Sequence, residues 1–268
     1  MIATVESLYE RLRADPVAHL GRKSVRLIDA YELGYQLGRR RWGGGMLLDE
    51  LPGRTFQKWA ERRFNWTAEM GCRQSVASFA LLMSQDEQIA FDLFFDLRKQ
   101  AVADIADFKS DGTDDFELPQ EELVSFITNG RFKDRPGMWL GGASVDALWA
   151  LCSGFVWAER DGGLDDSEAQ RFLAGFQNWI EERYPFSRGR PWNKTIDFLA
   201  LHLPERAWKS CFEMIDMFRN GMAPDSLSMT GRQMLQGLTK AIDEQNTDMT
   251  PEDVAREWSD VVKGICPS

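Results

Sequence analysis

The chain has 268 residues, of which 43% are hydrophobic and 28% charged, and a formal net charge of −10. Such proportions describe a globular chain with a substantial apolar core rather than a disordered one. The acidic balance argues against nucleic acid as a ligand, because phosphate binding needs a basic patch. The excess is spread along the chain: 16 basic against 19 acidic residues over 1–118, 12 against 15 over 119–222, and 4 against 8 over 223–268. It suits a basic protein partner, and it also serves plain solubility. No run of about 18 apolar residues occurs and no signal-like segment opens the chain, so the expectation is a cytoplasmic protein without membrane contact.

The first predicted helix covers Thr4–Ala14 and runs into Pro16, which with Gly21 forces a turn. Ser24 sits where an N-cap belongs, ahead of a long helix with Ile28, Tyr31 and Tyr35 on one face. Gly34 lies inside that helix, where glycine costs about 1 kcal/mol against alanine; close approach of another helix backbone would compensate. Gly43-Gly44-Gly45 lacks the Lys-Ser/Thr of a phosphate loop and reads as a connection. Phe56–Phe64 and Gln85–Phe108 follow as helices, the latter with Ala90, Leu93, Phe94 and Leu97 as its apolar stripe. Residues 104–122 then carry eight carboxylates, Asp111, Asp114, Asp115 and Glu117 among them, against Lys109 alone. This is the composition of an exposed linker.

Past the linker the same order returns. A short helix over Gln120–Asn129 precedes Pro136. Ser144 caps a long helix with Leu148, Leu151, Cys152 and Phe155 at i, i+3, i+4, i+7, and Gly154 inside it. Asp161-Gly-Gly-Leu-Asp165-Asp166, followed by Glu168, resembles a calcium loop only in composition and reads as an exposed acidic connection. Helices over Phe176–Tyr184 and Glu205–Asn220 close this half, the last with Trp208, Cys211, Phe212 and Ile215 inward. A tail helix begins at Thr250-Pro251 and carries Val254, Trp258, Val261, Val262 and Ile265 on one face. No strand-like alternation occurs, which makes the predicted fold class all-α.

A shift of 120 aligns residues 16–63 with 136–183 without a gap. Fourteen positions are identical, among them Pro16/Pro136, Gly21/Gly141, Ser24/Ser144, Gly34/Gly154, Phe56/Phe176, Gln57/Gln177, Trp59/Trp179, Glu61/Glu181 and Arg63/Arg183. Composition alone gives roughly three. Further on, Ala90-Phe91 aligns with Ala207-Trp208 at a shift of 117. The expected organisation is therefore two diverged tandem copies of one multi-helix unit, 1–118 with the acidic linker and 119–222, plus a C-terminal helical extension over 223–268.

Catalytic chemistry is hard to find. The two histidines, His19 and His202, stand alone on apolar stretches and read as core residues. Cys72, Cys152, Cys211 and Cys266 form no C-x-x-C pair and read as reduced thiols. The adjacent acids Glu121-Glu122, Asp165-Asp166 and Glu181-Glu182 point to different helix faces and do not make converging acid/base pairs. Glu61/Arg63 and Glu181/Arg183 recur as a structural ion pair. Trp42, Trp66 and Trp192 lie near connections, as core residues or as partner contacts. No catalytic residue, cofactor site or metal site is assigned.

One segment carries a resemblance. Arg135-Pro-Gly-Met-Trp-Leu-Gly141, then Ser144, Leu148, Gly154-Phe155, and Phe176-Gln-Asn-Trp179 to Arg183-Tyr184 resemble a bacterial family of small helical immunity proteins that accompany polymorphic toxins. Members show an Arg-Pro-x-Met turn closed by an aromatic, Ile or Leu and Gly, and a helix with this aromatic spacing. The resemblance covers about 125–215 and extends through the repeat to 8–100. The first copy departs from it, with Asp15-Pro-Val-Ala-His-Leu-Gly21 at the turn. The motif names scaffold residues rather than contacts. It implies an antitoxin that binds a cognate toxin, such as a nuclease effector of a type VI secretion system. A basic toxin would meet Asp111, Asp114, Asp115 and Glu117 on the linker, and Asp161, Asp165, Asp166 and Glu168 on the second acidic connection. A homodimer is left open. The alternatives are an all-helical enzyme with a carboxylate-based site, and a structural or adaptor protein of a secretion apparatus.

Overall fold

The computed structural model describes residues 5–41, 53–65, 75–104 and 122–223. Among these, 80% are helical and no strand occurs. The all-α class is therefore the observed one. The linker carboxylates Asp111, Asp114, Asp115 and Glu117, the tail helix over 250–265, Trp42 and Trp66 lie outside the described residues.

Packing divides the chain into two compact units, Met1–Arg171 and Phe172–Ser268. The first holds α1 (Val5–Ala14), α2 (Pro16–Leu20), α3 (Ile28–Arg41), α4 (Gly53–Arg63), α5 (Val76–Ser84), α6 (Glu87–Asp104), α7 (Leu123–Thr128), α8 (Gly130–Asp134), α9 (Pro136–Leu140) and α10 (Val145–Asp161). The division falls inside α11 (Glu168–Arg183), and the second unit adds α12 (Trp192–Leu199) and α13 (Pro204–Arg219). Helices from both halves of the sequence thus share the first unit.

Pro16 and Pro136 each start a five-residue helix, a position where the missing N–H costs nothing. Each helix ends on a glycine in the left-handed region, Gly21 at φ 74° and Gly141 at φ 72°. Ser144 then caps α10, accepting from the Ala147 N–H at 3.2 Å. Ser24 does not cap. A 3-10 turn over Val25–Leu27 intervenes before α3, and the Ser24 hydroxyl donates to Glu87 on α6 instead.

The α3–α10 pair forms the centre of the first unit. A Cβ at Gly34 would overlap the carbonyl oxygen of Leu151, and one at Gly154 that of Tyr31. Gly38 continues the seam: a Cβ added there would lie 2.6 Å from the Phe155 carbonyl oxygen and 2.8 Å from the Ala158 methyl, too close for either to stay in place. The contacts advance in the same direction along both helices, which therefore run parallel. Gly34-x-x-x-Gly38 against Gly154-x-x-x-Ala158 lets two backbones touch, so dispersion and Cα–H···O contacts replace side-chain interdigitation. The mid-helix glycines meet in one shared crossing. Ile28, Tyr31, Tyr35, Leu148, Leu151, Cys152 and Phe155 of the two helices are all buried.

An aromatic layer fills the space under α4 and α6. Phe56 stacks on Trp59 and meets Phe94 edge-on, and Tyr9 of α1 packs on Phe94 and Phe95. The buried Arg98 guanidinium lies 3.5 Å over the Tyr9 ring, a cation–π contact suited to a desolvated charge. In the second unit Phe172, Phe176, Trp179, Trp192 and Phe218 form the corresponding cluster. The two repeated tryptophans do similar work: Trp59 Nε1 donates to the Asp104 carboxylate at 3.0 Å, and Trp179 Nε1 to the Met222 carbonyl at 2.9 Å. Each bond secures the chain at or just past the end of a closing helix.

The Pro16 and Pro136 segments, expected as turns, are the short helices α2 and α9, because proline at the first helical position starts a helix as readily as it ends one. Three further helices had no sequence signal. Val76–Ser84 is apolar nearly throughout, so α5 shows no 3.6-residue alternation of polar and apolar faces. α8 and α12 have five and eight residues, too short for periodicity to register. The recurrent Glu–Arg spacing also serves another purpose than an ion pair. Glu181 accepts from Gln177 at 2.7 Å and from the Gly189 N–H at 3.3 Å, while Arg183 lies over the Trp179 and Tyr184 rings. With Gln177 also bonding the Arg190 carbonyl and the Trp192 N–H, this network fixes residues 184–191.

Candidate partner-binding site

The connection between α10 and α11 is built from backbone bonds. Gly163 takes φ 75°, which only glycine adopts without strain, and sits one residue past the helix cap. Its N–H donates to the Arg160 carbonyl at 2.9 Å, and the Leu164 N–H reaches back to the Glu159 carbonyl at 2.8 Å. These two bonds together make a Schellman closure. On the other side Ser167 caps α11, accepting from the Gln170 N–H at 3.1 Å. The Gln170 side chain returns to the Leu164 carbonyl at 2.8 Å and accepts from the Asp166 N–H at 3.3 Å. Asp166 itself is held at φ 65°.

This geometry leaves Asp165, Asp166 and Glu168 exposed on a short, tied turn. Leu164 stands beside them, 37% exposed. Arg171 pairs with Asp166 at 3.2 Å, both largely solvated, so that pair contributes little energy.

Asp161 behaves differently from its expected role as a free surface charge. Arg11 of α1 binds its two oxygens at 3.0 and 2.6 Å, and the Tyr35 hydroxyl donates at 2.7 Å. Only 15% of its side chain is exposed. The last turn of α10 aims it back at α1 and α3, which no local pattern reveals. Burial pushes its carboxyl up, but the Arg11 and Tyr35 hydrogen bonds outweigh that and hold it below the usual carboxylate range. Burial, and then the bond to Asp161, push the Tyr35 hydroxyl up.

Glu159, two residues earlier, is completely enclosed. Ser167 donates to it, and Arg41 lies 3.5 Å away while also binding Glu122 at the start of α7. Burial raises the Glu159 carboxyl above its ordinary value, with Ser167 and Arg41 opposing. Two residues apart on a helix, Glu159 and Asp161 face different ways. Each is engaged by its own partners, so they do not converge on a common reactant.

His19 is buried on α2, its Nδ1 3.0 Å from the Tyr31 hydroxyl and its ring against Trp157; burial and Arg11 lower its basicity. His202 is the reverse of the expected core residue. Leu201 and His202 both take φ 58°, and this reversal between α12 and α13 puts the imidazole outside, 2.6 Å from Asp197. Trp192 is buried in the second unit's aromatic cluster. Among the described residues, no three His, Cys, Asp or Glu side chains are placed to hold a metal ion, and no helix is long and apolar enough to cross a membrane. Glu159, Ser167 and Gln170 escaped the sequence reading. The Ser167-x-x-Gln170 spacing, a capping-box pattern, was the available signal for the turn's ordered closure.

Compared with known proteins, the chain matches no family model, no curated protein and no solved structure.

Proposed function

We propose that this protein is an antitoxin, which binds a cognate basic toxin and neutralises it by covering or distorting its active site. The observation that carries this reading is the tied turn at 164–168. It presents an apolar side chain, Leu164, beside the exposed carboxylates of Asp165, Asp166 and Glu168 on backbone already fixed by hydrogen bonds. A fixed turn loses little entropy on binding, the apolar residue supplies an anchor, and the carboxylates steer a basic partner. The resemblance of 135–184 to immunity proteins of polymorphic toxins points the same way. A nuclease effector of a type VI secretion system, met in the cytoplasm, is the toxin this reading favours, since carboxylates can occupy the place of a phosphate backbone.

The tandem-copy organisation belongs to the same proposal. Gly34 faces Leu151 and Gly154 faces Tyr31, positions that exchange under the shift of 120. This reciprocity supports two copies packed about a local two-fold axis between α3 and α10. Copy two alone carries the acidic turn, since residues 41–48 at the same places in copy one hold no carboxylate.

The test starts with capture of the bound protein from the native host. Replacing Asp165, Asp166 and Glu168 with Lys should then slow association with it at least about tenfold at low salt while thermal stability hardly changes. An unchanged association rate at low ionic strength would remove the turn from the interface. A captured partner that is not a toxin would remove the antitoxin reading.

A further inference from the structure

The buried carboxylate of Glu159 has no role in the surface just described, yet it touches every element that frames it. Ser167, the cap of α11, donates its hydroxyl hydrogen to Glu159. Arg41 at the end of α3 lies 3.5 Å from the other oxygen. Arg41 is shared with Glu122 at the N-cap of α7. The Glu159 carbonyl accepts the Leu164 N–H that closes the turn. Backbone and side chain of one residue thus hold both ends of the 162–167 connection.

We propose that Glu159 is a proton-operated latch: its ionised carboxylate holds the 162–167 connection closed over the end of α10, and protonation opens that connection while the helices stay packed. The facing charges fit this. α3 contributes Arg41 and the start of α7 contributes Glu122. The connection and α11 contribute only the uncharged Ser167 and Gln170. Asp161 faces Arg11 and Tyr35 instead. When Glu159 takes up a proton, Arg41 keeps Glu122 as its partner and remains partly solvated, so no guanidinium is stranded. What is lost is the charge on the acceptor that Ser167 uses, and with it the stronger form of that hydrogen bond. Burial moves the proton uptake of Glu159 above that of an ordinary glutamate. Asp161, held below the usual range, stays ionised through the same interval and keeps α1 tied to α10.

Hydrogen exchange on the free protein tests this without any partner, as protection factors for the amides of Gly163, Leu164, Asp166 and Gln170. Between about pH 7 and about pH 4 these should lose about tenfold or more in protection, the equilibrium worth of weakening one hydrogen bond to a charged group. Amides within α3 and the middle of α10 should keep theirs. Glu159→Gln should show the low protection already at neutral pH, with little further change in acid. Ser167→Ala keeps the carboxylate but removes both the donor to Glu159 and the cap acceptor of the Gln170 N–H, so it serves if Glu159→Gln fails to fold only through the Gly163 and Leu164 amides, which should show the low protection at neutral pH. Unchanged protection of the wild type in acid would overturn the latch. So would wild-type protection in both variants at neutral pH, or loss of the α3 and α10 amides together with the turn.

Discussion

A methyl group at Gly34 would meet the Leu151 carbonyl, and one at Gly154 the Tyr31 carbonyl, with rigid helix backbone on both sides. Gly34→Ala or Gly154→Ala should therefore cost about 3 kcal/mol from overpacking, outweighing the roughly 1 kcal/mol that alanine gains in helix propensity. Gly137→Ala in α9, where an added Cβ meets nothing within 4 Å, should be neutral or slightly stabilising. Thermal melts of the three variants check the comparison. The sequence marked Gly34 and Gly154 as costly positions needing a reason, but the reason, each other's helices, is a tertiary fact. Asp161 shows the converse: read as surface charge, it is a bound one. Its folded-state pKa is depressed, so its contribution is present above the unfolded value near about 4 and disappears as pH falls through the folded value. Asp161→Asn should thus be destabilised by about 1–3 kcal/mol at neutral pH, and the gap to the wild type should close in acid. A gap independent of pH would mean that the contact works by packing alone.

At the scale of elements, capping and periodicity did most of the predictive work where helices were long and two-faced. The α3, α10 and α13 stripes are buried as their spacing requires. Where helices were apolar all round or only a turn or two long, as α5, α8 and α12, the period carried no information. Ser24 and Ser144 lie 120 apart, each three residues past a left-handed glycine and just before a valine, yet only Ser144 caps, because Glu87 on α6 offers Ser24 an acceptor. The repeated tryptophans are buried at 5% and 6% exposure, each with its indole N–H bonded. Trp59→Ala and Trp179→Ala should each lose about 3–5 kcal/mol of stability, measured by denaturant unfolding. If Trp179→Ala melts like the parent, its aromatic cluster is not what holds α11 to α13.

For the whole molecule, the first unit joins helices from both halves of the sequence, with the α3–α10 seam between them. A protease site engineered within 105–121 and cut in the folded protein should leave the two fragments together in gel filtration, because the seam and the Arg11–Asp161 and Arg41–Glu159 pairs cross the cut. Separation of the fragments under native conditions would show that the seam does not by itself hold the halves. The negative charge is spread evenly along the chain, so the molecule as a whole is repelled by other polyanions.

Composition and periodicity by themselves determined that the described residues are helical, where most of their long helices run, which faces these bury, and that positions 120 apart share one sequence pattern. Those properties are local, set by each residue's own propensity and by neighbours three and four positions away. Only the tertiary structure decided which helices touch, which acids are free and which are held. Arg11 reaches Asp161 across 150 residues of sequence, and Gly34 meets Leu151 across 117. Contacts at such separation depend on how whole faces pack, so the same carboxylate can read as solvated in the sequence and lie bound between two helices in the fold.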